Sequence, residues 1–94
     1  MHHVIARITA LPGRAADMRS VLETLARATR DESGCLQYEV LQAQDQPELF
    51  STFECWQDRG AADGHMATPH VAAAFAQAGP LLAAPPDIRH MQRC

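Results

Sequence analysis

The sequence predicts an α+β fold of order β-α-β-β-α-β, and three observations carry that reading. Period-two runs of β-branched and aromatic residues fall at 3–11, 35–43 and 48–56. A long stripe of apolar residues at 3/4 spacing separates the first two runs. Pro-Gly, Gly and Pro-Pro punctuation marks the joins.

The first run, "HVIARITAL", sets Val4, Ala6 and Ile8 on one face and Ile5, Arg7 and Thr9 on the other, as a strand does. Pro12-Gly13 stops it. Met18, Val21, Leu22, Leu25, Ala26 and Thr29 then recur on one face of a helix, with arginines and acids between them. Burial of its four large apolar side chains would contribute about 1.5–3 kcal/mol each. Gly34 reads as its terminator. "CLQYEVLQA" and "ELFSTFECW" flank the polar "QDQPE" and form a hairpin. In the second of these strands Leu49, Phe53 and Cys55 alternate with Phe50, Thr52, Glu54 and Trp56, so both faces are largely apolar. A short helix over 57–67 follows, weakened by Gly60 and Gly64. Thr68 suits an N-cap and Pro69 a first helical position, which starts another helix from His70. Pro85 and Pro86 precede a last strand in which Ile88 and His90 alternate with Arg89 and Met91.

Together these elements make the ferredoxin-like plan, a four-stranded antiparallel sheet with helices on one face, in a single domain spanning residues 1–94. The other sheet face is apolar, and no segment of the chain is left to cover it. The expectation is a homodimer whose two sheets pack face to face into a dimeric α/β barrel. A chain of 94 residues buries a modest share of its surface alone, which favours such a partner.

With 47% hydrophobic and 20% charged residues the composition is globular. A formal charge of −3, with all eight basic residues scattered arginines, argues against nucleic acid or an anionic membrane as partner. Cys35, Cys55 and Cys94 fit neither a disulfide framework nor a C-x-x-C site, which points to a reducing, cytoplasmic setting with Cys35 and Cys55 as core residues. No signal-peptide pattern or membrane-spanning run is expected.

The chemistry concentrates in "DGHMATPHVAAAF", residues 63–75. His65 should end one helix and His70 begin the next, beside helix-end partial charges that favour neutral imidazoles suited to general-base work. A metal is not expected: a helical zinc pair is spaced i, i+4, here the spacing is five, and no Asp or Glu is an obvious third ligand. His65 could equally hydrogen-bond a backbone carbonyl and fix the junction. Trp56, whose indole needs a partner if buried, could line a pocket or pack in the core. Glu54, on its strand face, is an internal polar partner or a pocket carboxylate. Tyr38 could donate to a ligand oxygen or be structural, and Phe53 and Phe75 read as core that could double as pocket wall. Arg7 and Arg89 could serve an anionic substrate, although a salt bridge is the simpler reading.

"PGRAADM", "RDESGCLQYEV" and "FECWQDRGAADGHMATPHVAAAF", in that order, resemble the antibiotic biosynthesis monooxygenase family over nearly the whole chain. Ser33-Gly34-Cys35 stands where members carry a Pro-Gly-Cys-like loop. The resemblance implies oxygenation of a quinol-like or phenolic small molecule by dioxygen, without metal or organic cofactor. It places His65 and His70 near the pocket mouth as catalytic groups, with Trp56, Tyr38, Glu54, Phe53 and Phe75 against the substrate. The haem-degrading branch relies on an Asn, a Trp and a His at positions occupied here by Ala6, His65 and Phe75, so haem degradation is not expected. An acid–base isomerase of a small carbonyl compound, or a non-enzymatic binding or stress-response dimer, would use the same fold.

Overall fold

Strand β1 (His2–Thr9) leads to helix α1 (Ala15–Arg30), and the chain returns through β2 (Cys35–Gln42) and β3 (Leu49–Trp56). Helices α2 (Arg59–Met66) and α3 (Pro69–Ala78), a 3-10 turn (Gly79–Leu81) and β4 (Asp87–Met91) complete it. The computed structural model describes residues 1–94. The four strands form one antiparallel sheet in the order β2-β3-β1-β4, which is the ferredoxin-like plan with its second helix delivered in two pieces.

Alternation decides what each strand presents to the helices. Val4, Ala6 and Ile8 of β1 stand opposite Glu54, Thr52 and Phe50 of β3, and all six are buried beneath the helices. Tyr38 of β2 is paired with Glu54 and joins that layer. The other face carries Ile5 directly across from Phe53, each 38% exposed, with Leu41 and Met91 also exposed.

Helix α1 buries Met18, Leu22, Ala26 and Thr29. Val21 and Leu25, expected to be buried with them, are only half-buried because they edge an open cleft. Gly13 has φ +80°, a left-handed turn that glycine adopts without a Cβ penalty. Asp58 caps α2, its Oδ1 accepting from the Ala61 amide at 2.8 Å. Thr68 caps α3 as expected: its Oγ1 accepts from the Val71 amide and donates to the His65 carbonyl at 2.7 Å. One hydroxyl thereby closes α2 and opens α3.

Gly34 does not end α1 as expected, since Asp31 is the C-cap; its role is a close approach. Helix α1 stops four residues earlier, and a Cβ at position 34 would lie 2.5 Å from the Ala61 Cβ of α2. The close approach seats α2 against the loop that follows α1. Gly34→Ala is expected to destabilise the fold by about 1–3 kcal/mol through this overlap. Urea denaturation checks it, and an unchanged midpoint would contradict the contact.

Candidate functional site

The helices do not seal the sheet completely. A cleft of about 80 Å³ opens between them, with Val4, Ala6 and Ile8 as its floor, Val21 and Leu25 on one wall and Phe75 on another. That is room for a few waters or for part of a compact apolar ligand. Fifteen of its twenty lining residues are hydrophobic. The groups that can ionise in it are Tyr38, Glu54, His65 and His90.

His65 comes from the last turn of α2 and is buried, with its ring packed on Trp56 at 4.7 Å between centroids and on Tyr38 at 5.7 Å. Its Nδ1 lies 2.6 Å from Glu32 Oε2, in the loop after α1. His70, in the first turn of α3, brings Nε2 to 2.7 Å from the same oxygen. An ionised carboxylate only accepts, so both imidazoles donate to it, His65 through Nδ1–H and His70 through Nε2–H. That tautomer leaves His65 Nε2 with a lone pair and no protein hydrogen bond, on a ring that lines the cleft.

Glu54 is 6% exposed and accepts from two neutral donors, the Trp56 indole at Oε1 (3.0 Å) and the Thr52 hydroxyl at Oε2 (2.7 Å). Tyr38, on the adjacent strand, makes no hydrogen bond through its hydroxyl although it lines the cleft. Burial, and then the charge of Glu54, push its phenol well above the ordinary tyrosine range. It therefore stays protonated on a residue that lines the cleft.

Measured against the sequence reading, His65, Tyr38, Glu54 and Phe75 all line the cleft. His70 does not line it; it shares the Glu32 carboxylate with His65, and the two rings lie 6.0 Å apart between centroids. Trp56 does not line it either: fully buried, it supports His65 and holds Glu54. Phe53 lies on the opposite sheet face, because odd-numbered β3 residues point away from the helices. The carboxylate thought to be missing beside the two histidines is present as Glu32, and sequence reasoning passed over it. One potential ligand atom from each of Glu32, His65 and His70 lies within 4.8 Å of the other two. The partial-charge expectation holds for His70 alone, since His65 stands at the carbonyl end of α2, where the dipole is negative. His65 binds a carboxylate rather than a backbone carbonyl. Arg7 and Arg89 are outside the cleft, with Arg89 bound to Asp87 at 3.0 Å.

A sheet-and-helix cleft with one orphaned imidazole nitrogen, one free phenol and an apolar floor defines a small-molecule site. The family it represents is identifiable: the profile described as antibiotic biosynthesis monooxygenase matches residues 1–77, and the chain belongs to that family. It is 37% identical over 82 residues to Rv0793 of Mycobacterium tuberculosis, spanning 87% of this chain and 80% of the relative. The solved structure of Rv0793 superposes with a TM-score of 0.91 at 30% identity, covering 99% of this chain and 94% of that one. PA3566 of Pseudomonas aeruginosa gives 0.91 at 33%, covering 99% and 93%. A structure described as an antibiotic biosynthesis monooxygenase gives 0.94 at 28%, covering 100% and 99%. No helix is long and apolar enough to cross a membrane.

The raised Tyr38 phenol has a measurable sign. The unfolded chain's tyrosine ionises near about pH 10, the folded one higher, so the fold holds the neutral form more tightly. Its stabilising contribution is complete below about pH 10 and is lost progressively above it. Tyr38 is the single tyrosine. Tyrosinate absorbance should therefore appear only above the free-tyrosine range, and thermal stability should fall more steeply with alkaline pH than in Tyr38→Phe.

Proposed function

We propose that this chain is a cofactor-independent monooxygenase of a quinol-like or phenolic small molecule, acting as a homodimer. The observation that carries it is the orphaned Nε2 of His65, held by Glu32 in the tautomer a base requires. Nε2 takes the substrate's hydroxyl proton, and the Glu32 carboxylate stabilises the imidazolium that forms. The Tyr38 hydroxyl donates to the phenolate oxygen. The electron-rich ring then delivers electrons to dioxygen at a carbon bearing hydrogen. A ring hydroperoxide forms and loses water, which leaves a new carbonyl, so one oxygen atom is retained and the other leaves as water. The apolar lining excludes solvent from that intermediate.

Membership of the monooxygenase family supports this chemistry. The base and donor also suit proton transfer on a small carbonyl compound; that isomerase would turn over without oxygen. A cleft open at His65, with Trp56 behind it rather than plugging it, favours an enzyme over a binding module. The exposed apolar face bearing Ile5, Phe53 and Leu41 favours a second copy of the chain against it. Three unpaired cysteines, one of them exposed, suit a reducing, cytoplasmic compartment.

Oxygen uptake with menadiol, 1-naphthol and hydroxynaphthoquinols tests the reaction. Wild type should exceed the uncatalysed rate for at least one of them, and His65→Ala should lose about 10²–10⁴-fold of kcat. Glu32→Gln, which retains the volume and removes the charge, should lose activity while remaining folded by circular dichroism. No uptake across the panel, or turnover that persists anaerobically, would sink the oxygenase reading. Light scattering should return twice the chain mass at micromolar concentration, and Phe53→Glu should reduce it towards one; a wild-type monomer there contradicts the dimer.

A further inference from the structure

The cleft has a sign of charge, and that sign restricts what can enter. Glu54 is a buried carboxylate in its wall, and both of its protein partners, Thr52 and Trp56, are neutral donors. No cation stands beside Glu54, so as a carboxylate it sets an uncompensated negative potential in an apolar site. No arginine lines the cleft, and the chain has no lysine. Arg30, which is close to Tyr38 in space, turns outward: its Nε donates to the Tyr38 backbone carbonyl at 3.0 Å, and its guanidinium lies 3.8 Å from Glu39. The remaining ionisable lining groups are the Tyr38 phenol and the imidazoles of His65 and His90. Behind His65 stands a second carboxylate, Glu32.

From this geometry we infer that Glu54 is a specificity-determining residue: the site takes a neutral, hydroxyl-bearing apolar ring and rejects its carboxylated or phosphorylated counterparts. The inference rests on the cleft being the substrate site. Each Glu54 oxygen is acceptor to one protein donor and has capacity for another, so a substrate hydroxyl or ammonium can add a hydrogen bond. A substrate that enters already anionic meets Glu54 with no cation to offset it. A substrate that enters neutral avoids that repulsion, because transfer of its proton to His65 creates the anion and the imidazolium together. The same carboxylate that bars a resident anion thus tolerates one formed as an ion pair inside the cleft.

The test is binding under anaerobic conditions, where no oxygenation intervenes. Calorimetry at about pH 8, above the ordinary histidine range, would compare 1-naphthol, 1-naphthoate and 1-naphthylmethylamine, which share one ring system and differ in charge. Naphthol should bind at least about tenfold more tightly than naphthoate, with the ammonium at least equal to naphthol. Glu54→Gln keeps the volume and should bring naphthoate to within about threefold of naphthol. Equal binding of naphthol and naphthoate by the wild type overturns the inference, as does a folded Glu54→Gln protein that keeps the full gap. Failure of all three to bind overturns it too. If Glu54→Gln does not fold, the wild-type comparison alone still decides. Oxygen uptake is not read, so an inactive protein that discriminates by charge would defeat the oxygenase reading and leave this one standing.

Discussion

Three separate pieces of the chain converge on one oxygen atom. Glu32 Oε2 accepts from His65 of α2 at 2.6 Å and from His70 of α3 at 2.7 Å, while Glu32 itself belongs to the loop that closes α1. That loop is held by its own backbone, with the Glu32 amide bonded to the Thr29 carbonyl and the Cys35 amide to the Glu32 carbonyl, both at 3.0 Å. On its other side Gly34 lets Ala61 approach. The carboxylate therefore sits in a fixed loop and reads out the positions of two helix ends. Its hydrogen bonds are charge-assisted and partly shielded from water, the setting in which such bonds are strongest. Removal of the charge would leave the nearly inaccessible His65 Nδ1 without its anionic partner and free the ring to choose the other tautomer.

Two carboxylates shape the cleft, one bound to the His65 imidazole and one held by Thr52 and Trp56. Glu32 binds His65 directly and sets which nitrogen carries the proton. Glu54 acts at one remove, holding the Trp56 indole on which His65 packs and raising the cost of ionising Tyr38. An imidazole and a phenol line one small cleft. Here Tyr38 is kept in its neutral form by burial and then by the charge of Glu54, while Glu32 holds the imidazole by a direct hydrogen bond.

Much of this was legible in the residues. Strand alternation identified Val4, Ala6 and Ile8 as the buried face, and Thr68-Pro69 announced the break between the second and third helices. The pocket residues that could be read were those whose own local pattern fixes their direction, such as Glu54, on the helix-facing side of β3. Phe53 failed for the same reason: its aromatic character suggested a pocket wall, whereas its odd position sends it to the other face. Trp56 shares the correct face yet lies beyond the cleft, because His65 packs over it. Val21 and Leu25 carry the helical apolar stripe but edge a cavity, which periodicity does not distinguish from a core. Glu32 was invisible for a different reason. It is separated from His65 by 33 positions and from His70 by 38, across two strands and a helix, and only the folded topology brings them together.

The spacing of the two histidines illustrates how local geometry and topology combine. On an unbroken α-helix, five positions at 100° each would point the side chains about 140° apart, and no single oxygen could serve both. The break at Thr68-Pro69 removes that constraint. Thr68 ends α2 by donating to the His65 carbonyl and starts α3 by accepting from the Val71 amide, so His70 begins a new helix in a new direction. The residue types that excluded a helical metal pair are thus the ones that allow a shared carboxylate. Only one of the two rings is turned into the cleft, and the other braces the carboxylate from outside. An imidazole whose tautomer is set by an anion, and an anion held in place by a second donor, require a junction of this kind rather than a continuous helix.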